Sequence, residues 1–297
     1  MNLSLLDSPH WRDYELLDSG DGLKLERFGP YRFARPEALA TWKRSLPEAA
    51  WREADAVFRP TSEESGGHWQ ARSKLRERWE MRYPLTGCAP LKFWVMTTPG
   101  RHLGVFPECA AHWDWMAKQI QAAGRPARVL NLFGYTGLAS LAAASAGASV
   151  THVDASKKSV GWARENQELS GLADRPIRWI VDDALKFVQR EARRGIKYDG
   201  IYLDPPKFGR GPKGEVWEVY QSLPELLEAC QAVLSSNPLF VVLTMYAVRA
   251  SGVHLHTTLA ELMQKHRGQV EAGELVTRES SAGRLVSQAV FSRWSGE

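Results

Sequence analysis

The 297-residue chain is poor in cysteine, with only Cys88, Cys109 and Cys230. They are far apart and form no C-x-x-C pair, which argues against a disulfide framework or a cysteine zinc site. A reducing compartment, the cytoplasm, is expected. Histidine supplies no other metal set: His254 and His256 lack acidic or cysteine partners at ligand spacing, so no metal is expected. Long apolar runs are also missing. The longest, around PLFVVLTMYAV, is too short to cross a bilayer. The opening MNLSLLDSPHWRDY has no basic stretch followed by an apolar one, so no signal peptide is expected. Nor does one sign of charge dominate. A net charge of +4 and a pI near 8.9 are compatible with nucleic acid but do not argue for it.

What is present suits a globular protein, because 44% hydrophobic and 24% charged residues are enough for a large core. The 12 tryptophans are distributed unevenly. Eight of them (Trp11, Trp42, Trp51, Trp69, Trp79, Trp94, Trp113, Trp115) lie in the first 115 residues, so the composition changes along the chain. In GDGLKLERFGPYRFAR apolar residues alternate around a Gly-Pro turn, a hairpin signal, and WEMRYPL and LKFWVM continue the β pattern. Residues 1–88 therefore read as a small β-rich N-terminal domain with a helical insert near 36–55, a candidate for substrate recognition. Residues 89–297 read as a second domain.

In that second part helices and strands alternate. RVLNLF, ASVTHVDA, IRWIVDD, YDGIYLD and PLFVVLTMY read as strands, separated by segments of helical period. Short connections between them predict an α/β fold with a mostly parallel, doubly wound, Rossmann-like sheet. The last two β-like segments, GELVTR and RLVSQAVFSRW, have no helix between them and predict an antiparallel hairpin at one edge of the sheet.

Ligands of open α/β sheets bind outside the carboxyl ends of the strands. The first strand runs into Asn131-Leu-Phe133-Gly134-Tyr135-Thr136-Gly137 and then a helix, whose glycines let the backbone turn and approach a ligand. Leu132 stands where the full dinucleotide fingerprint needs another glycine, which favours a nucleoside ligand without a pyrophosphate. Asp154, with Ala155 and Ser156 behind it, ends the second strand and can accept from ribose hydroxyls. Asp182 and Asp183 end the third: one can meet an adenine amine and the other can cap the following helix. The fourth ends in Asp204-Pro205-Pro206-Lys207-Phe208. Both prolines stop strand pairing there.

NLFGYTG, VTHVDASKKSV, DDALKF and YLDPPKF together resemble successive motifs of class I S-adenosylmethionine-dependent methyltransferases. They are most similar to the bacterial ribosomal-RNA large-subunit methyltransferases that carry D-P-P-K-F, over about residues 90–250. That family's N-terminal RNA-binding PUA module is not evident. The resemblance implies that Asn131 to Gly137 wrap the methionine moiety, Asp154 holds the ribose, Asp183 meets the adenine, and Gly104-Val105-Phe106 covers the cofactor. Where the family has an acid, a glutamine and arginines after this phenylalanine, this chain reads ProGluCysAlaAlaHisTrp.

A sulfonium methyl is already activated, so transfer needs alignment more than a strong base. Asp204 with the Pro205 carbonyl can accept from a target amine. Phe208 can stack on an extruded base or pack under its loop, and Lys207, Arg210 and Lys213 can meet phosphate. Carbon-5 cytosine chemistry needs a cysteine nucleophile, but the fifth strand ends in LTMYAVRAS. Attack by a nitrogen is expected instead, in an RNA base or in a protein side chain. HWQARSKLRERWEMRY interleaves Arg72, Lys74, Arg76, Arg78 and Arg82 with Trp69, Trp79 and Tyr83, reading as an RNA surface or as a solvated charged face. Two rival readings are a nicotinamide oxidoreductase and a non-catalytic RNA-binding paralogue that kept the pocket.

Overall fold

The computed structural model describes residues 2–8, 10–61 and 66–297. Its N-terminal part contains β1 (Leu3–Leu6), β2 (Tyr14–Gly20), β3 (Leu23–Phe28), β4 (Tyr31–Pro36), α1 (Glu48–Arg52), β5 (Ala56–Pro60), β6 (Gly67–Ala71), β7 (Trp79–Tyr83) and β8 (Leu91–Val95). Strands β2 to β6 form one sheet in chain order, with the β3–β4 hairpin turning at Gly29-Pro30, and β7–β8 form a separate hairpin. The helical insert expected near 36–55 shrinks to the five residues of α1. The preceding segment spends its backbone groups elsewhere: Asp21 N donates to Trp42 O, Gly22 N to Ala40 O, and Glu37 N to Gly22 O. These bonds hold it as a loop against the β2–β3 turn, overriding its helical propensity.

The remainder runs α2 (Ala110–Ala122), β9 (Arg128–Leu132), α3 (Leu138–Ser145), β10 (Ser149–Asp154), α4 (Lys157–Leu169), β11 (Ile177–Val181), α5 (Ala184–Arg193) and β12 (Gly200–Leu203). It continues with β13 (Phe208–Arg210), β14 (Val216–Glu218), α6 (Val219–Val233), β15 (Phe240–Met245), α7 (Gly252–Leu262), β16 (Gly268–Arg278) and β17 (Leu285–Gly296). The main sheet has eight strands in the order β1-β16-β17-β15-β12-β9-β10-β11. The run from β15 to β11 is parallel, and β17 pairs antiparallel with both β15 and β16. The terminal hairpin exists as expected but is not the edge, because β1 pairs parallel outside β16.

Strand order reverses between β9 and β12, and it is here that the crevice at the carboxyl ends opens. The two parts of the chain share a core. Trp11, Tyr14, Tyr83, Phe93 and Trp113 pack edge-to-face or tilted with ring centroids 5.0–6.0 Å apart, joining the N-terminal strands to α2. The same apolar cluster continues to Leu141 of α3 and Phe291 of β17. Two of the early tryptophans, Trp11 and Trp113, therefore stand at the interface between sheet systems.

Candidate active site

The loop after β9 is wound tightly. Phe133 (φ 58°) and Tyr135 (φ 49°) both adopt the left-handed region, an unfavourable place for bulky residues, and Gly137 turns the chain at φ 87° into α3. Gly134 has a different reason to be glycine. A Cβ there would lie 2.3 Å from the His152 ring, so packing against β10 excludes any side chain. Behind the loop, Asn131 Nδ2 donates to Ser140 Oγ at 2.8 Å, and Ser140 Oγ lies 3.0 Å from His152 Nδ1. Burial lowers the pKa of His152 to about 3, so this imidazole is a neutral core group.

Asp154 at the end of β10 ties the loop down. One carboxylate oxygen accepts from Tyr135 N and the other from Ser156 N, each at 2.8 Å. Burial raises its pKa despite those bonds. Each oxygen keeps lone-pair capacity toward the cavity that Asp154 lines. Asp183 accepts from Lys186 N at 2.9 Å and caps α5, while Asp182 accepts from Asp183 N and pairs with Arg190. Asp183 thus takes the capping role, and both acids line the cavity. On the other flank, Gly104-Val105-Phe106 is fastened to the loop by Thr136 Oγ1 donating to Gly104 O at 2.7 Å.

The resulting cavity has a volume of about 400 Å³. Phe106, Phe133, Tyr135, Asp154, Ala155, Ser156, Asp182, Asp183, Asp204 and Arg210 line it together. Asn131, Gly134 and Thr136 line a smaller recess of about 40 Å³ that also reaches Phe106, Tyr135 and Asp204. Pro205 is buried at the strand end, and Pro206 is the proline on the cavity wall.

Asp204 is the most perturbed carboxyl of the site. Burial, with the negative field of Glu108 as a second cause, pushes its pKa up to about 7. Cys109 Sγ lies 3.8 Å from Asp204 Oδ2, whereas Oδ1 is buried without a hydrogen-bond partner. Burial and the Asp204 charge drive the Cys109 pKa far upward, leaving a neutral thiol in place of a thiolate. Asn131 Oδ1 is likewise buried without a partner.

The loop beyond Asp204 contains a small hairpin of β13 and β14 that no sequence pattern announces. Trp217 of β14 packs on Phe133 at 4.8 Å and donates to Pro206 O at 2.7 Å, bracing the D-P-P segment. Phe208 is 57% exposed, so it does not pack under its loop; Lys207 Nζ sits 5.1 Å from its ring. Lys213 and Arg210 are exposed on the same hairpin. Also on the cavity wall, beyond the candidates named from sequence, are Thr98, His102, Trp217 and Tyr246. No motif flags them, although Tyr246 directly follows a β strand whose carboxyl end faces the crevice. His102, buried near Arg35 and Arg101, has its pKa lowered to about 3 and stands neutral beside Phe106.

In the stretch at 68–83 a charged face overlies a core. Trp79 and Tyr83 are buried, and Trp69 donates to Thr98 O. Arg72, Lys74, Arg76, Arg78 and Arg82 are exposed. Arg78 pairs with Glu165 at 2.6 Å and Arg82 with Glu80 at 2.7 Å.

Comparison with known proteins places this geometry. The family model described as conserved hypothetical protein 95 matches residues 110–271. A crystal structure of an S-adenosylmethionine-dependent methyltransferase from Agrobacterium tumefaciens is 48% identical, with 100% of this chain and 95% of that one covered and a TM-score of 0.93. The chain belongs to the S-adenosylmethionine-dependent methyltransferases. Among curated relatives, ribosomal RNA large subunit methyltransferase K of Neisseria meningitidis is 28% identical over 73% of this chain and 61% of its own length. Ribosomal RNA large subunit methyltransferase I of Aeromonas salmonicida is 32% identical over 54% of this chain and 38% of its own. The chain thus spans less than two-thirds of either relative. As a methyltransferase it has the expected fold class, a mixed α/β fold with a mostly parallel central sheet.

Proposed function

We propose that this methyltransferase acts on a nucleobase of RNA, ribosomal RNA being the expected source, and that a nitrogen is methylated. The observation carrying the reading is Asp204 Oδ1: a buried acceptor without a partner, at the end of β12, on a carboxyl whose pKa is pushed up to about 7. A group with that pKa can take or share a proton with a target amine near neutral pH.

The residues present fit the family's cofactor. Asn131 Oδ1, orphaned on the wall of the small recess, suits the amino group of a methionine moiety. Asp154 has spare acceptor capacity for ribose hydroxyls, and Asp182 and Asp183 lie where an adenine amine would approach. When bound, S-adenosylmethionine supplies an electrophilic methyl group. The protein's part is alignment: Asp204 orients the acceptor amine and leaves its lone pair free, and the aromatic wall of Phe106, Tyr135 and Tyr246 excludes water. The neutral Cys109 thiol, donating to Asp204, is unsuited to carbon-5 attack and favours nitrogen. Exposed Phe208, with Lys207, Arg210 and Lys213 around it, suits a stacked base and its phosphates. The ribosomal relatives point to the same substrate class.

Tritiated S-adenosylmethionine with total RNA and protein from a strain lacking the gene tests the reading. Label is expected in RNA with the wild-type enzyme and absent with Asp204→Asn, while calorimetric cofactor affinity stays within about threefold. Label confined to protein would overturn the RNA assignment. Unchanged RNA labelling by the variant would overturn the role of Asp204.

A further inference from the structure

A second cavity, of about 160 Å³, lies between the N-terminal sheet and the methyltransferase half. It shares His102, Phe106 and Tyr246 with the 400 Å³ cavity, so the two adjoin at these side chains. Lys24 of β3, Gln288 of β17 and Glu108 line its other sides. The backbone at its mouth is strained, with Ala247 held at φ 55° directly after Tyr246.

The chemistry of this cavity follows from one hydrogen bond. Lys24 Nζ donates to Gln288 Oε1 at 2.6 Å. An ammonium has donors only, so the bonded amide atom must be the oxygen, and the orientation of the Gln288 amide is fixed. Its Nε2 is left buried with no hydrogen-bond partner. Buried donors are nearly always paired, so an orphan on a cavity wall marks a place for a ligand acceptor. Glu108 offers the complementary function, a carboxyl able to accept from an N–H. Arg35 does not compete for the ligand, because Glu26 engages it through two bonds of 2.6 and 2.8 Å.

We propose that this cavity receives the hydrogen-bonding edge of the acceptor base, with Gln288 Nε2 donating to a ring nitrogen or carbonyl and Glu108 accepting from an N–H. The size agrees: a cavity of roughly 150 Å³ holds one benzene ring, so one heteroaromatic ring enters and the sugar and phosphate stay outside. The ring lies against Phe106 and Tyr246, as bases extruded from a stack lie against aromatic side chains. Lys24, on an N-terminal strand, thereby acts through Gln288 as a positioning residue. The inference rests on the RNA reading above and adds which residues select the base.

The test replaces Gln288 by Met, of similar volume but without the donor, and in parallel Glu108 by Gln. Total RNA from the deletion strain is the substrate. The expected result is a fall in kcat/KM for RNA of about tenfold or more with each variant, with cofactor affinity by calorimetry unchanged. Because Gln288→Met also takes the acceptor from Lys24, melting temperatures are measured on the same preparations, and the loss of kcat/KM is expected to persist well below them. A Gln288 of purely structural value would instead lower the melting temperature and spare kcat/KM. Wild-type activity on RNA with undiminished kcat/KM in both variants would overturn the pocket alone. Absence of RNA labelling by the wild type would overturn the RNA reading, and this inference with it.

Discussion

At the scale of single residues, the strand-end acids were legible because chemistry and topology agree: carboxylates recur at the ends of consecutive parallel strands. What the sequence could not separate was why each residue is there. Gly134 reads as a close approach to a ligand, but its first constraint is the His152 ring 2.3 Å from where a Cβ would stand. Asp182 and Asp183 are chemically identical, and only the geometry of α5 makes the second the cap. Asp204 gives a prediction with a definite sign. Its folded pKa, about 7, lies above the ordinary 3.8, so the folded state keeps a proton that the unfolded chain has lost over that interval. This contribution to stability is complete below pH 4 and is lost as pH rises to about 7. Asp204→Asn carries no such charge. Its stability relative to wild type should therefore climb between pH 4 and 7 by up to about 4 kcal/mol and then level off. Melting curves across that range check it; a pH-independent difference would mean that Asp204 keeps an ordinary pKa. Over the same range the wild-type kcat/KM should rise with an apparent pKa near 7 as the carboxylate forms.

At the scale of elements, periodicity found the helices and the five parallel strands, since long amphipathic or wholly apolar segments declare themselves. It failed where tertiary contacts decide. The β13–β14 hairpin has three residues a side and no alternation long enough to detect. The loop 37–47 is held by backbone bonds to the β2–β3 turn. Strand β1, only LSLL, is specified by its partner across more than 260 residues. A signal for it existed, however. Gly273 sits inside β16, and a glycine within a strand often marks a close backbone approach. A Cβ there would lie 1.8 Å from Ser4 O. Gly273→Ala should therefore push β1 off the sheet edge, costing about 1–3 kcal/mol and leaving the β9–β12 crevice intact. Hydrogen exchange is the direct measure: protection at Leu3–Leu6 should fall while that at Val129–Leu132 persists. Unaltered protection of β1 would show that the edge can absorb the added methyl.

At the scale of the whole molecule, the change in composition along the chain suggests two parts, yet their coupling is what the structure adds. The tip of the β16–β17 hairpin plugs into the N-terminal sheet. Ser280 N and Ser281 N donate to Leu16 O and Leu17 O, and buried Glu279 accepts from Ser19 Oγ at 2.5 Å and Arg284 Nε at 2.6 Å. Arg284 continues to Lys43 O, and Ser281 Oγ donates to buried Asp18. No local pattern announces such a clasp, because its members lie some 260 positions apart and are ordinary polar residues of loop sequences. Its consequence is global: the same clasp sets β3, with Lys24, against β17, with Gln288, and so sets the width of the cavity between the two parts. Glu279→Ala removes the central acceptor and deprives Ser19 and Arg284 of their shared carboxylate, which should cost about 3 kcal/mol, or roughly 5 °C in melting temperature. Cofactor affinity should hardly change, since Asn131 and Asp154 belong to the main sheet. Under the RNA proposal, kcat/KM for RNA should fall with the stability, because one wall of the 160 Å³ cavity has lost its anchor. Calorimetry and initial rates on one preparation separate the two effects. A fall in cofactor affinity equal to the fall in RNA turnover would mean that the clasp supports the methyltransferase sheet itself, and not the alignment of the two parts.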